Sequence, residues 1–351
     1  MNFSPCNCIY DRGKTEYASC FACDECEPIL HWNYGNSFHQ LRKVVGAYPL
    51  IYLNGNRAGK WWIGIAVCLL LSLPYLGEAV EKSLRLRVMT YNIRFDFKSD
   101  ASNRWKQRAS AVAEQIRQSG AQVVCLQEDK IDQIKDLQKQ LPEFTFVGRG
   151  RNATGFGERT SILFLNEQMQ LKEQGDFWLS DSPSTPGSNT WGDQYPRKVT
   201  WVVLQDKKGG PSVLVLNVHL PSGKKSMLRE RGVQLIHSWL LEKLKRNQGA
   251  SKVQAVVIAG DFNAAPESDS HKLLTDSRTL PLLDVWEVIN PDDPYPGTYG
   301  GWEGLQTKKR IDWLLVAGKV RVLGCDKLES PVMGRFPSDH YPVIADLQIR
   351  F

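Results

Sequence analysis

From Leu84 to Ile349 the chain repeats one device: an apolar run of strand length, followed by a polar loop or by apolar residues at helical spacing. Runs this short, rich in valine and isoleucine, satisfy their backbone by pairing in a sheet, whereas spacing of three and four residues buries one face of a helix. Strands are predicted at Leu86, Val88 and residues 90–95, then at 123–126, 161–165, 199–205, 213–220, 253–259, 311–316 and 343–349. Helices are predicted through Trp105, Ala109, Val112 and Ile116 up to Gly120, through Ile131, Ile134, Leu137 and Leu141, and over residues 227–244. Such alternation belongs to the α/β class. No repeat or internal linker interrupts residues 84–351, which read as one domain. A chain with 42% hydrophobic and 23% charged residues is neither disordered throughout nor collagenous.

The first 79 residues differ from the rest. They hold six of the eight cysteines and equal numbers of basic and acidic residues, so the whole net charge of +6 falls on residues 80–351. That mild excess suits a polyanionic partner, though solubility accounts for it equally. Residues 57–79 combine a basic flank, an apolar stretch and the small residues Gly77 and Ala79, the pattern of a secretory signal peptide cut after Ala79. The alternative is a membrane anchor at residues 61–77, short for a span and containing Pro74. A secreted or periplasmic location is therefore expected, with membrane anchoring as the rival.

Residues 1–56 form an extension that need not be translated. After Met1 the next methionine is Met89, inside the first predicted strand, so a non-methionine start near Val45 or Leu53 is expected. Cys20, Cys23 and Cys26, with His31 and His39, have the side chains of a zinc site, but their spacing matches no paired knuckle and the bland reading is preferred. In the main body Cys125 reads as a small buried hydrophobe, and a bridge to Cys325 is the alternative.

Polar residues close the apolar runs. Asn92 follows Thr90-Tyr91, Glu128 follows Leu126-Gln127, and Asn217 and His219 sit in Asn217-Val218-His219-Leu220. Asp261 and Asn263 stand in Gly260-Asp261-Phe262-Asn263, Asp312 in Ile311-Asp312-Trp313, and Ser338-Asp339-His340 precedes the last strand. Singly, each is an ordinary turn or cap residue. Together they supply oxygen ligands, two imidazoles and a further carboxylate, the parts of a hydrolytic site built around a hard cation.

In this order the motifs resemble the endonuclease/exonuclease/phosphatase superfamily, which includes deoxyribonuclease I, abasic-site nucleases, poly(A) deadenylases, neutral sphingomyelinases and inositol polyphosphate 5-phosphatases. The stretch from Gly175 through Trp191 to Pro196-Arg197 is similar to a bacterial branch nearer the deadenylases. The resemblance covers residues 84–351 and implies a four-layer α/β sandwich, two packed mixed β-sheets with helices outside. It implies Mg²⁺, with Mn²⁺ as substitute, held by Glu128 with Asn92 and Asp339 close by. Asp261, held by Asn263, would align or deprotonate the attacking water. His340, oriented by Asp312, would stabilise the transition state, and His219, Asn217 and Arg197 would meet the phosphate.

The reaction implied is in-line hydrolysis of a phosphoester, with nucleic acid the favoured substrate and a monomer the expected state. A sphingomyelinase-type attack on a phospholipid head group, or a small-molecule phosphatase, is the alternative within enzymology. A binding module without catalysis is the alternative outside it. No basic or wedge-bearing insertion of the abasic-site type is present. Substrate choice is expected in the loops 181–196 and 290–309, whose Trp191, Tyr195, Tyr295, Tyr299 and Trp302 either stack on a ligand or pin the loop. Lys224, Lys225, Lys308 and Lys309 flank motif loops. The glycine-rich run 148–157 lacks the Gly-Lys-Ser/Thr ending of a nucleotide loop, although Glu158 after it is a candidate. His237 and His271 match no motif.

Overall fold

Twelve strands pair into two sheets of six in a computed structural model that describes residues 82–246, 252–293, 296–304, 307 and 309–351. The readings placed on residues 1–79, on Tyr295 and on Lys308 lie outside these residues. One sheet runs β11 (Val320–Lys327), β12 (Val343–Arg350), β1 (Ser83–Asn92), β2 (Val123–Gln127), β4 (Ile162–Leu165), β3 (Phe144–Val147). The other runs β5 (Met169–Trp178), β6 (Lys198–Asp206), β7 (Ser212–His219), β8 (Val253–Asp261), β10 (Asp312–Gly318), β9 (Leu283–Asp284). Both are mixed: β1 is parallel to β2 and β7 to β8, while the other pairings are antiparallel.

Three apolar layers explain why the sheets stack. Alternate residues of a strand face opposite sides, and the inward set unites both sheets. Leu86, Val88, Val123 and Cys125 share one cluster with Val213, Val215, Val257, Ala259 and Leu314. The outward residues Met89, Tyr91, Val124 and Leu126 pack under α1 (Trp105–Ser119) and α2 (Ile131–Gln140). Leu214, Leu216, Ile258 and Leu315 pack under Val233, Ile236 and Leu240 of α3 (Ser226–Arg246) and Leu274 of α4 (Asp269–Thr275). The short α5 (Val285–Ile289) adds Val285 and Trp286 to the central layer. The four-layer sandwich follows. Among the described residues no helix is long and apolar enough to cross a membrane.

Helix α1 stops at Gly120, whose left-handed φ of 64° lets its N–H close on the Arg117 carbonyl. Cys125 and Cys325 are free. They lie on β2 and β11, three strand spacings or about 14 Å apart, too far for a bridge. The first strand ends at Asn92, earlier than the expected 95, because Arg94 turns the chain with φ 54°.

Candidate active site

The same two-residue period that builds the central layer also builds the site. Inward positions 88 of β1, 123 and 125 of β2, 213 and 215 of β7, 255, 257 and 259 of β8 and 316 and 314 of β10 are apolar, and further along the same faces Thr90 begins a polar end. They become Asn92, Gln127, Asn217, His219, Asp261 and Asp312 at one end of the sandwich. Register completes the convergence, because Asp261 lies opposite His219 on β7 and opposite Asp312 on β10. At Gly260 the strands come so close that a Cβ would sit 2.1 Å from the Val218 carbonyl oxygen.

The side chains meet in a cleft of about 450 Å³ lined by Glu128, Asp261, Asn263, Asp339, His340 and His219, with Arg94, Arg151, Glu158 and Arg197 around them. Asp261 is its centre. Its Oδ1 accepts the Asn263 backbone N–H at 2.8 Å, and its Oδ2 accepts the Asn92 amide at 3.0 Å. Nε2 of His219 and of His340 stand 3.6 and 3.9 Å from that Oδ2. Burial, and then Asp312 nearby, push the Asp261 carboxyl up to about 7.

His340 Nδ1 pairs with Asp312 Oδ2 at 2.9 Å, and the Thr298 hydroxyl donates to the same oxygen at 2.6 Å. Burial opposes charge on His340, but Asp312 and Asp261 outweigh it and raise its pKa to about 10. His219 is held well below the ordinary histidine value by burial and then by Arg197 and Arg151.

Glu128 has φ 62°, and its carboxylate accepts the Asn92 amide and the Phe95 N–H, both at 3.2 Å. Arg94 and Asn263, with φ 54° and 50°, share this left-handed backbone, so local strain of about 1–3 kcal/mol per residue gathers at the cleft. Burial, then Glu158 and Asp339, raise the Glu128 pKa. Carboxylates that repel each other in this way suit a hard cation, and Glu128 and Asp339 offer only oxygen donors, while the Asn92 amide oxygen accepts the Arg94 N–H at 3.0 Å and its NH2 faces Glu128. Arg94 reaches both carboxylates loosely, at 3.8 and 4.0 Å, and spends its closer contacts on Asp100. Asp261, Asp312 and His340 also lie within 4.8 Å of one another, but Nδ1 of His340 is committed to Asp312.

Asn217 does not reach the cleft. It is fully buried, and its amide donates to the Leu126 and Ser161 carbonyls at 2.7 and 2.8 Å while accepting from Gln127 at 2.7 Å. It braces one sheet against the other. The Asn263 side chain turns to the Leu220 carbonyl, so only its backbone holds Asp261. Arg197 lines the cleft with Nε 3.4 Å from Asp193.

The sequence reading missed Arg94, Arg151 and Thr298. Arg151 forms a two-pronged pair with Glu158 at 2.9 and 3.0 Å, presented by the tightly folded glycine-rich loop. That loop carried the only signal for it. Arg108, buried on α1, clamps the Ile93, Arg94 and Pro337 carbonyls and so ties the turn after Asn92 to the one before Ser338. Of the aromatic candidates, Tyr195 and Tyr299 line the cleft. Trp191 is pinned by Asp181 and Arg231, and Trp302 lies against Arg108.

A larger surface groove between α3 and α4, lined by His237, holds only exposed or half-buried residues and no desolvated ionisable group. His271 is buried against Asp284 at 2.8 Å, and Arg310 already supplies the cation that Asp284 and Glu287 require.

A comparison with curated proteins gives no match. Among solved structures, an endonuclease/exonuclease/phosphatase family protein from Bacteroides thetaiotaomicron is 26% identical with a TM-score of 0.69, over 77% of this chain and 96% of that one. A mannosyl-6-phosphatase from the same organism is 28% identical with a TM-score of 0.66, over 75% and 99%. The catalytic domain of human Nocturnin shares the fold at 17% identity, with a TM-score of 0.61 over 77% and 98%. Residues 89–340, which span every side chain of the cleft from Asn92 to His340, match the Endonuclease/Exonuclease/phosphatase family. The chain belongs to that family, whose members are metal-dependent hydrolases of phosphoester bonds.

Proposed function

We propose that the cleft hydrolyses the phosphoester of a compact polar molecule by in-line attack of water with Mg²⁺ bound, Mn²⁺ substituting. The observation that carries this is the convergence of two imidazole Nε2 atoms and one amide on a single Asp261 oxygen. Glu128 and Asp339 are the residues that would hold the cation, with Asn92 positioning Glu128 through its NH2, and the cation when bound polarises the phosphorus centre.

Asp261, with a pKa near neutrality, aligns the water and takes its proton as the new P–O bond forms and the ester P–O bond breaks. His340, kept cationic by Asp312, neutralises charge on the pentacoordinate phosphate. The neutral His219 and the Arg197 guanidinium donate to non-bridging oxygens.

The compact substrate is favoured because Trp191 and Trp302 are already engaged, and Arg151 lies 4.4 Å over the Tyr195 ring, covering one face. The likeness to a protein described as a mannosyl-6-phosphatase supports the same choice. A nuclease is the second reading, favoured by the +6 charge of residues 80–351 and by Lys309 and Tyr299 at the cleft.

One panel decides. The full chain is offered a hexose 6-phosphate, single- and double-stranded DNA, RNA and sphingomyelin, with Mg²⁺ or with chelator. Phosphate release from the sugar phosphate, abolished by chelator, is the expected result. Fastest cleavage of nucleic acid transfers the assignment to the second reading, and undiminished turnover in excess chelator refutes the metal role.

A further inference from the structure

A small recess opens from the cleft behind Arg197 and His219, and four of its lining residues, Arg159, Thr160, Pro196 and Lys198, take no part in the chemistry described so far. Arg151, Glu158, Arg197 and His219 line both spaces, whereas Arg159, Thr160, Pro196 and Lys198 line the recess alone. Glu128, Asp261, Asp339 and His340 line only the cleft. His219 is therefore a wall between the recess and the reacting centre.

Two cationic donors in this wall have nothing to bind. Among the described residues Arg197 Nη1 and Arg159 Nε, both buried, have no hydrogen-bond partner, and Arg197 as a whole is 9% exposed. The other polar groups are engaged: Arg151 with Glu158, Lys198 with Asp176 and Thr200, and the Thr160 hydroxyl with Thr200 at 3.0 Å. A buried N–H left without an acceptor is costly, more so when the group is charged, so such a pair implies an acceptor. The room, about 10 Å³, is that of one water or one oxygen atom. Of the four basic side chains in the lining, Arg151 is paired with Glu158, Lys198 with Asp176 and Arg197 Nε with Asp193, while Arg159 spends only Nη1, on the Gly148 carbonyl; a charge-assisted hydrogen bond from the two remaining guanidinium N–H groups favours an oxygen that carries negative charge.

We propose that this recess is a second anion subsite, taking one oxygen of a carboxylate, sulfate or phosphate group that the substrate carries in addition to the phosphoester being cut. The assignment rests on the reading that hydrolysis occurs at Asp261. It narrows the substrate class to compact phosphoesters with two anionic groups, and it makes Arg159 a specificity residue.

The test uses the full chain. With chelator present, sulfate is expected to raise the thermal midpoint in a saturable way, and Arg159→Gln to need at least about tenfold more sulfate for the same rise. Arg159→Lys, which keeps the charge but loses the guanidinium Nε–H, is expected to weaken sulfate in the same direction, so one misfolded variant does not end the test. With Mg²⁺, the ratio of kcat/KM for 6-phosphogluconate over glucose 6-phosphate is expected to be about tenfold or more and to fall towards one in Arg159→Gln. Absence of saturable sulfate protection, or a ratio that survives Arg159→Gln, overturns the subsite. Loss of Mg²⁺-dependent turnover of both esters overturns the functional reading instead and leaves the sulfate result standing.

Discussion

His219 and His340 approach the same oxygen of Asp261 from two sides, yet the two halves of the cleft drive them in opposite directions. On one side Asp312 bonds to Nδ1 of His340, Asp261 and Asp339 stand near, and the ring is held cationic up to about 10. On the other, burial together with Arg197 and Arg151 keeps His219 neutral. Two identical side chains, both nearly inaccessible to solvent, thus become a fixed cation and a neutral donor. The partners decide the charge, and the sheet register decides the partners.

The largest expected effect comes from removing what the halves share. Asp261→Asn is expected to lower kcat by at least ~10² with KM little changed, since it removes alignment and proton acceptance and leaves ground-state contacts in place. Steady-state kinetics check this, and a variant that keeps more than about a tenth of the activity moves the base elsewhere.

A smaller effect is expected from breaking only the acidic half. In the proposed mechanism the active form of His340 is the imidazolium, so activity is expected to fall as pH rises through its pKa. Asp312 raises that pKa, and Asp312→Asn therefore moves the alkaline limb down from about 10 towards the ordinary histidine value, with about a tenfold loss at neutral pH. A pH profile of kcat whose alkaline limb does not move shows that His340 does not act as a cation.

The smallest effect on rate is expected in the basic half. Arg197→Met is expected to raise the His219 pKa, because one of the cations that depress it is gone. The value is expected to stay below the usual 6.5, since burial is the larger cause and remains. Titration of the imidazole followed by NMR checks this, and an unmoved His219 removes Arg197 from the comparison.

The eight strands predicted from the sequence are those with a neighbour on each side: β12, β1, β2 and β4 in one sheet, β6, β7, β8 and β10 in the other. The four that were missed, β3, β5, β9 and β11, are the sheet edges. An edge strand needs little apolar surface. Of the ten residues of β5 only Met169, Phe177 and Trp178 are buried, and none of β11 is. Neither therefore carries the apolar run by which a strand is recognised.

The site divides along the same line. The identities and chain order of Asn92, Glu128, His219, Asp261, Asp312 and His340 were legible in the sequence, because each stands at one end of an apolar run and side-chain alternation is a local property. Nothing local distinguished Asn217 from His219, two residues apart and both on the inward face. Only the arrival of β2 from the other sheet turned one into a brace on Leu126, 91 residues away, and left the other in the cleft. Thr298 on Asp312, Arg151 on Glu158 and the unpaired guanidinium donors of Arg159 and Arg197 likewise depend on loops meeting across the sheet ends. Periodicity, being local, settles which way a residue faces, but its neighbours across the cleft come from parts of the chain whose approach is set by packing the two sheets together.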